Sequence, residues 1–199
     1  MKKILKLVVF LVVLVCIVDA AGLIADRQTL KNNLVRLHVV AQSNSEEDQR
    51  VKLEVRDAVL KALEKPMAEI TDISKAKDYI QTHLPAIEQA ANDTLKALGV
   101  QQRAVVTFLK EKFPVREYDS FTLPSGVYES LRITIGDGEG RNWWCVVFPK
   151  LCVSAASVED TAAGAGFSEP LTDAITQKQG YRIRFLLLDI LGKIENLFY

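Results

Sequence analysis

Leu34-Val35-Arg36-Leu37-His38-Val39-Val40-Ala41, the polar stretch Gln42-Ser43-Asn44-Ser45 and the periodic run Glu46 to Lys65 decide the fold. The first eight residues predict a buried strand. Side chains alternate along a strand, so Val35, Leu37, Val39 and Ala41 share one face and Leu34, Arg36, His38 and Val40 the other. Arg36 and His38 therefore point the same way, two polar groups in an apolar strand. After the turn, Val51, Val55, Ala58, Val59 and Ala62 recur at helical spacing as one apolar stripe. Ser45 is placed as an N-cap with Asp48 at the third helical position, and Glu46, Glu47 and Asp48 put negative charge where the helix dipole favours it. The helix is expected to stop near Glu64-Lys65-Pro66. Asp48–Lys52 and Asp57–Lys61 are spaced as acid-to-base pairs on its solvated side.

The 199 residues suit one domain. Residues 1–20 read as a signal peptide or N-terminal anchor. A basic start at Lys2-Lys3 precedes twelve apolar residues from Leu7 to Val18, and Val18 and Ala20 suit a cut after Ala20. The stretch Ile4–Ala25 is also long enough to cross a bilayer. Either way the remainder is exported, with residues 21–33 as a lead-in and 34–199 as the domain. Beyond Ala20 there remain 22 basic residues (25 less Lys2, Lys3 and Lys6) and 24 acidic (25 less Asp19). That balance argues against a nucleic-acid partner, which requires a basic patch.

Two helical segments, or one kinked helix, are expected from Ser74 to Leu98 around Pro85, with Gly99 as the stop. His83 reads as a surface or capping residue. Arg103–Phe113, Tyr128–Ile135 and Asn142–Phe148 read as strands, the last two as a β-hairpin joined by Gly136-Asp137-Gly138-Glu139-Gly140. Tyr118–Gly126 reads as a turn-rich link and Ser154–Gly166 as a surface loop. Ile183, Leu187, Ile190, Ile194 and Leu197 mark an amphipathic helix whose apolar face is expected to pack into the core. The fold class is α/β (α+β), a single domain with helices on a mixed or antiparallel sheet of about four or five strands.

No catalytic set is complete. His38 beside Ser43 and Ser45 raises an extracytoplasmic hydrolase with His38 as base, but capping accounts for both serines and no nucleophile-elbow motif is present. The structural alternative bonds His38 to backbone and pairs Arg36 with Asp57 or Glu129. Neither histidine has a metal-ligand spacing, and no cofactor or small-molecule substrate is indicated. Trp143 and Trp144 must point to opposite sheet faces, and an exposed tryptophan on an exported protein marks an interaction surface. Cys145 and Cys152 are a disulfide candidate, provided a turn at Phe148-Pro149-Lys150 brings them together.

Two stretches carry a family resemblance. The first is Arg36-x-His38-Val39-x-Ala41-x-Ser43-x-Ser45-x-x-Asp48-Gln49, continuing to Val55-Arg56-Asp57-Ala58-Val59. The second runs from Leu123-Pro124-x-Gly126-x-Tyr128 through Leu131-Arg132-Ile133-x-Ile135-Gly136 to Asn142-Trp143-Trp144-Cys145-Val146-x-Phe148-Pro149-x-Leu151-Cys152. Together they resemble the stage II sporulation protein R family of endospore-forming bacteria over about Leu34 to Cys152. Gln42 and Asn44 depart from the Asn and Asp expected in the turn. The resemblance implies a signal rather than a catalyst. Such a protein is made in the forespore and exported to the space between forespore and mother cell. There it activates the membrane-embedded aspartic protease, stage II sporulation protein GA, which processes the sigma factor E precursor. Candidate partner-binding residues are Arg36, His38, Asn44, Asp48, Trp143 and Trp144.

Overall fold

The computed structural model describes residues 1–150 and 158–199. A single helix, α1 (Lys2–Asn33), carries the chain through the apolar N-terminus and into the domain. It is long and apolar enough to cross a membrane, and its most apolar window is entirely exposed. The lead-in continues the same helix. Asp26, Arg27 and Leu30 are buried against the domain.

The strand β1 (Val35–Val40) follows at once and is buried along its whole length. That burial has a topological cause, because β1 is an interior strand. The sheet order is β2 (Ala104–Phe113), β5 (Gly126–Ile135), β1, β6 (Asn142–Phe148). β1 runs parallel to β5 and antiparallel to β6, while β2 is antiparallel to β5. The expected β5–β6 hairpin is thus incorrect, since β1 lies between them. Their glycine-rich connection instead crosses the end of β1, where Gly140 N–H donates to Ala41 O at 2.9 Å and Glu139 N–H to Gln42 O at 3.2 Å. Only glycine fits the crossing. A Cβ at Gly140 would lie 2.2 Å from the Ser43 carbonyl oxygen. A two-stranded ribbon pairs β3 (Arg116–Glu117), just before the expected link, with β4 (Thr122–Leu123) inside it.

One sheet face is covered by α2 (Glu46–Glu69), α3 (Ile73–Thr82) and α4 (Leu84–Ala97). Val35, Leu37 and Val39 meet Val51, Val55, Val59 and Leu63 there. Ser45 caps α2 as expected, its Oγ accepting from Asp48 N–H at 3.1 Å. The stripe continues through Leu63 rather than Ala62, and α2 runs past Pro66, because Leu63 and the next turn's Met67 are both buried. Pro66 deletes one ladder bond, and core packing one turn further on outweighs that loss. The two expected ion pairs of α2 are not formed. Lys52 is buried and donates to Gln49 and the Arg141 carbonyl, and Asp57 pairs with Arg56. The Pro85 break resolves as two helices, with His83 as the C-cap of α3.

The opposite face meets α1, α5 (Val158–Gly164), α6 (Glu169–Ile175) and α7 (Arg182–Phe198). Part of the expected 154–166 loop is therefore the helix α5; residues 154–157 lie outside the described residues. The larger correction concerns α7. Leu188, Asp189 and Gly192 face inward, while Ile183, Leu187, Ile190, Ile194 and Leu197 are exposed. The helix is amphipathic as read, but it is turned the other way.

Candidate functional site

Alternation along β1 puts Arg36 and His38 on the face shared with Leu34, and β6 brings Trp144 opposite His38. The His38 and Trp144 rings stack at 3.8 Å between centroids, 17° from parallel. Phe113 from the end of β2 meets the same tryptophan edge-on at 4.6 Å. Both nitrogens of His38 are engaged. Nε2 lies 2.8 Å from Asn142 Oδ1, and Nδ1 lies 3.2 and 3.3 Å from the two carboxylate oxygens of Glu111. Backbone bonding of His38, the structural alternative expected from sequence, is replaced by these side-chain partners.

Glu111 is the residue the sequence reading missed. It is buried, and Arg132 Nη1 donates to its Oε1 at 2.9 Å. Burial favours its neutral form, yet hydrogen bonding from His38 and the charges of His38 and Arg132 hold its pKa below the usual carboxylate range. Residue type alone hides it, because Lys110-Glu111-Lys112 reads as a solvated charge run. In the structure β2 buries its even-numbered face at Ala104 and Val106 and its odd-numbered face at Glu111 and Phe113, so the strand changes which side is covered along its length.

Arg36 is fully buried and has neither Asp57 nor Glu129 as partner. Its Nη2 donates to the Tyr118 hydroxyl at 2.8 Å, and its guanidinium sits over Phe113 and Tyr128 with its carbon 4.2 and 5.1 Å from the ring centroids. Its Nε and Nη1 have no hydrogen-bond partner among the described residues. Aromatic faces thus take the place expected of a carboxylate. Lys77, not Arg36, pairs with Glu129.

The tryptophans open into a cleft of about 700 Å³ between α2, the β3–β4 ribbon and β6. Arg56, Asp57 and Leu60 form one wall, Arg116 to Phe121 the other, and Asn142 to Cys145 the floor. Trp143 and Trp144 point to opposite faces as expected, and each is half-buried. Each also carries an arginine, Arg56 4.7 Å from the Trp143 ring and Arg116 5.4 Å from the Trp144 ring. Trp144 Nε1 is buried without an acceptor among the described residues. Cys145 is buried beside them, and its expected partner Cys152 lies outside the described residues.

The other two candidates do not join this group. Asn44 is exposed in the turn after β1 and accepts from Arg141 N–H at 2.9 Å. Asp48 is held by Ser43 Oγ and by the cap. Gln42, which departs from the expected turn residue, clamps Asp137 through that residue's backbone N–H at 2.6 Å and its carboxylate at 3.0 Å. Among the described residues no group of three or more His, Cys, Asp or Glu is placed to hold a metal ion.

No solved structure matches this chain. A curated relative, stage II sporulation protein R of Bacillus subtilis (strain 168), is 35% identical over 167 residues, covering 84% of this chain and 71% of the relative. The sequence model of stage II sporulation protein R matches residues 31–158, which include β1, the His38–Glu111 network and both tryptophans. With that match over more than half its length, the chain belongs to the stage II sporulation protein R family of sporulation proteins.

Proposed function

We propose that the chain is an exported intercellular signal that binds the outer part of the membrane-embedded aspartic protease, stage II sporulation protein GA, in the space between forespore and mother cell. Binding activates that protease toward the sigma factor E precursor. The observation that carries this reading is the tryptophan cleft. Two half-buried tryptophans, each under an arginine, line an open groove on an otherwise well-packed domain. Tryptophan and arginine in half-enclosed pockets dominate the energetics of protein interfaces. The apolar exposed α1 supports export, as a signal or an anchor. A Cys145–Cys152 bridge belongs to the same reading, as a restraint on the strand that carries both tryptophans.

The hydrolase alternative needs a free lone pair on His38. The residue is 5% exposed, stacked under Trp144 and bonded at both ring nitrogens, which supports a structural role in the cleft floor. The reading is tested by binding of the full chain to the reconstituted protease. Trp143→Ala, folded by circular dichroism, is expected to weaken association by about 30-fold, the equivalent of a hot-spot loss of about 2 kcal/mol. Unchanged affinity in that variant rejects the tryptophan anchor.

A further inference from the structure

Unlike a helix packed on a soluble core, α7 leaves its widest apolar face uncovered. Toward the domain it presents Phe185 and Leu188 together with the polar Asp189 and the small Gly192. Asp189 is buried and accepts from the Ser125 backbone N–H at 2.8 Å and the Ser125 hydroxyl at 2.6 Å. Gly192 lets the helix approach so closely that a Cβ there would lie 1.7 Å from the Ser125 carbonyl oxygen. The opposite face is wholly apolar. Ile183, Leu186, Leu187, Ile190, Ile194 and Leu197 form one stripe, each between 42% and 80% exposed.

What this stripe faces follows from where α7 is tied. Arg184 is bonded to Asp26, the residue that follows the Ile4–Ala25 stretch of α1, through Nε at 2.7 Å and Nη2 at 2.6 Å. The same guanidinium lies 3.4 Å from where a Cβ on Gly22 would stand. Glu195, at the other end of α7, is bonded to Arg27 and Lys31. The ion-pairing residues on α7 are thus roughly 16 Å apart along its axis, whereas their charged partners occupy only about 7 Å of α1. α7 therefore lies across α1 rather than along it, at the level where α1 leaves its apolar stretch. If α1 is upright in a bilayer, α7 is close to the plane of the surface, with its first turns at headgroup depth. A transverse helix with one apolar face and basic residues beside it is the pattern of an interfacial helix.

We propose that the outward stripe of α7 is seated in the phospholipid interface on the side where α1 emerges. The lipid-facing surface is then continuous from α1 to α7, and the domain stands on the membrane with its β1–α2 turn at the far end. That end is distal because β5 begins at Gly126 beside Arg27 and runs ten residues, about 33 Å, to Ile135. A docked domain presents its cleft at a fixed height to any membrane protein beside it.

The test uses the full chain in phosphatidylethanolamine/phosphatidylglycerol vesicles, with no other protein present. Leu187→p-benzoylphenylalanine and Ile190→p-benzoylphenylalanine place photoreactive groups on the stripe at exposed positions. Leu98→p-benzoylphenylalanine, exposed at the end of α4 near the distal end of β2, is the control. Illumination is expected to yield lipid adducts at 187 and 190 at least tenfold above the control. Adduct yields equal to that at 98, or a crosslink joining two copies of the chain, overturn the proposal. Failure here leaves the protease reading untouched, because no protease is present.

Discussion

Replacing His38 by alanine tests whether the cleft floor is a structural unit. The variant removes the Nδ1 contact with a buried carboxylate, the Nε2 contact with Asn142, and the ring that supports Trp144. A bond to a charged group is worth about 1.5–3 kcal/mol. At 3.2–3.3 Å the Glu111 contacts lie at the long end of the normal range, so the lower half applies. Stacking adds about 0.5–1.5 kcal/mol. Asn142 is exposed and rehydrates, so it contributes little. The expected loss is about 2–4 kcal/mol, a fall in Tm of roughly 5–15 °C for a domain of this size. Urea unfolding of the full chain in detergent, followed by tryptophan fluorescence, measures it. A double-mutant cycle with Glu111→Gln should give a coupling of about 1–2 kcal/mol at neutral pH. The pH dependence fixes the sign. The folded-state pKa of Glu111 lies below its unfolded value, so its contribution is complete above the unfolded value and is lost as pH falls through the folded one. A loss below about 0.5 kcal/mol for His38→Ala shows that His38 and Glu111 do not hold the floor together, and coupling that persists in strong acid shows that the Glu111 charge is not what couples them.

Three further outcomes follow from the packing. Gly192→Ala drives a methyl into the Ser125 carbonyl and should cost at least about 2 kcal/mol through separation of α7 from β5, read as faster hydrogen exchange in α7. Ser45→Ala removes the α2 cap and should cost about 1 kcal/mol in denaturant unfolding, with no change in the tryptophan environment. Asp189 and Glu195 are both drawn below the usual carboxylate range: burial opposes this, but Lys193 and Ser125 for the first and Lys31 and Arg27 for the second outweigh it. Their support is present above their unfolded values and fades as pH falls through the folded ones, so acid titration should loosen α7 from the Ser125 turn through Asp189 and from α1 through Glu195, and Glu195→Gln should flatten the α1 part of that transition.

Much of this architecture could be read from the sequence where local chemistry decides it. The alternation of Leu34–Ala41 placed Arg36 and His38 on one face, and Ser45 with Asp48 marked the start of α2 within a residue. Gly99 and Pro85 punctuated the helical region correctly. Strand adjacency was not readable from the turn between β5 and β6, since a glycine-rich connection serves a hairpin and a strand crossing equally well. The signal lay in β1, whose apolar residues on both faces demand two neighbours and two covering layers. The direction of α7 was hidden for a similar reason: a period of 3.6 reports that one face is apolar, not whether core or membrane receives it. Asp189, Gly192 and Glu195 on the other face were the residues that distinguish the two. The site was half legible. Both tryptophans and His38 come together, whereas Glu111, Arg56, Arg116 and Tyr118 enter from segments whose placement depends on the whole sheet.

Activation of the protease by the folded chain itself can be measured by reconstitution. The full chain, combined with vesicles that hold the protease and its sigma-factor precursor, should trigger precursor cleavage, and Trp143→Ala at the same concentration should lose most of that stimulation. Precursor cleavage that proceeds at the same rate with or without the folded chain would contradict a signalling role.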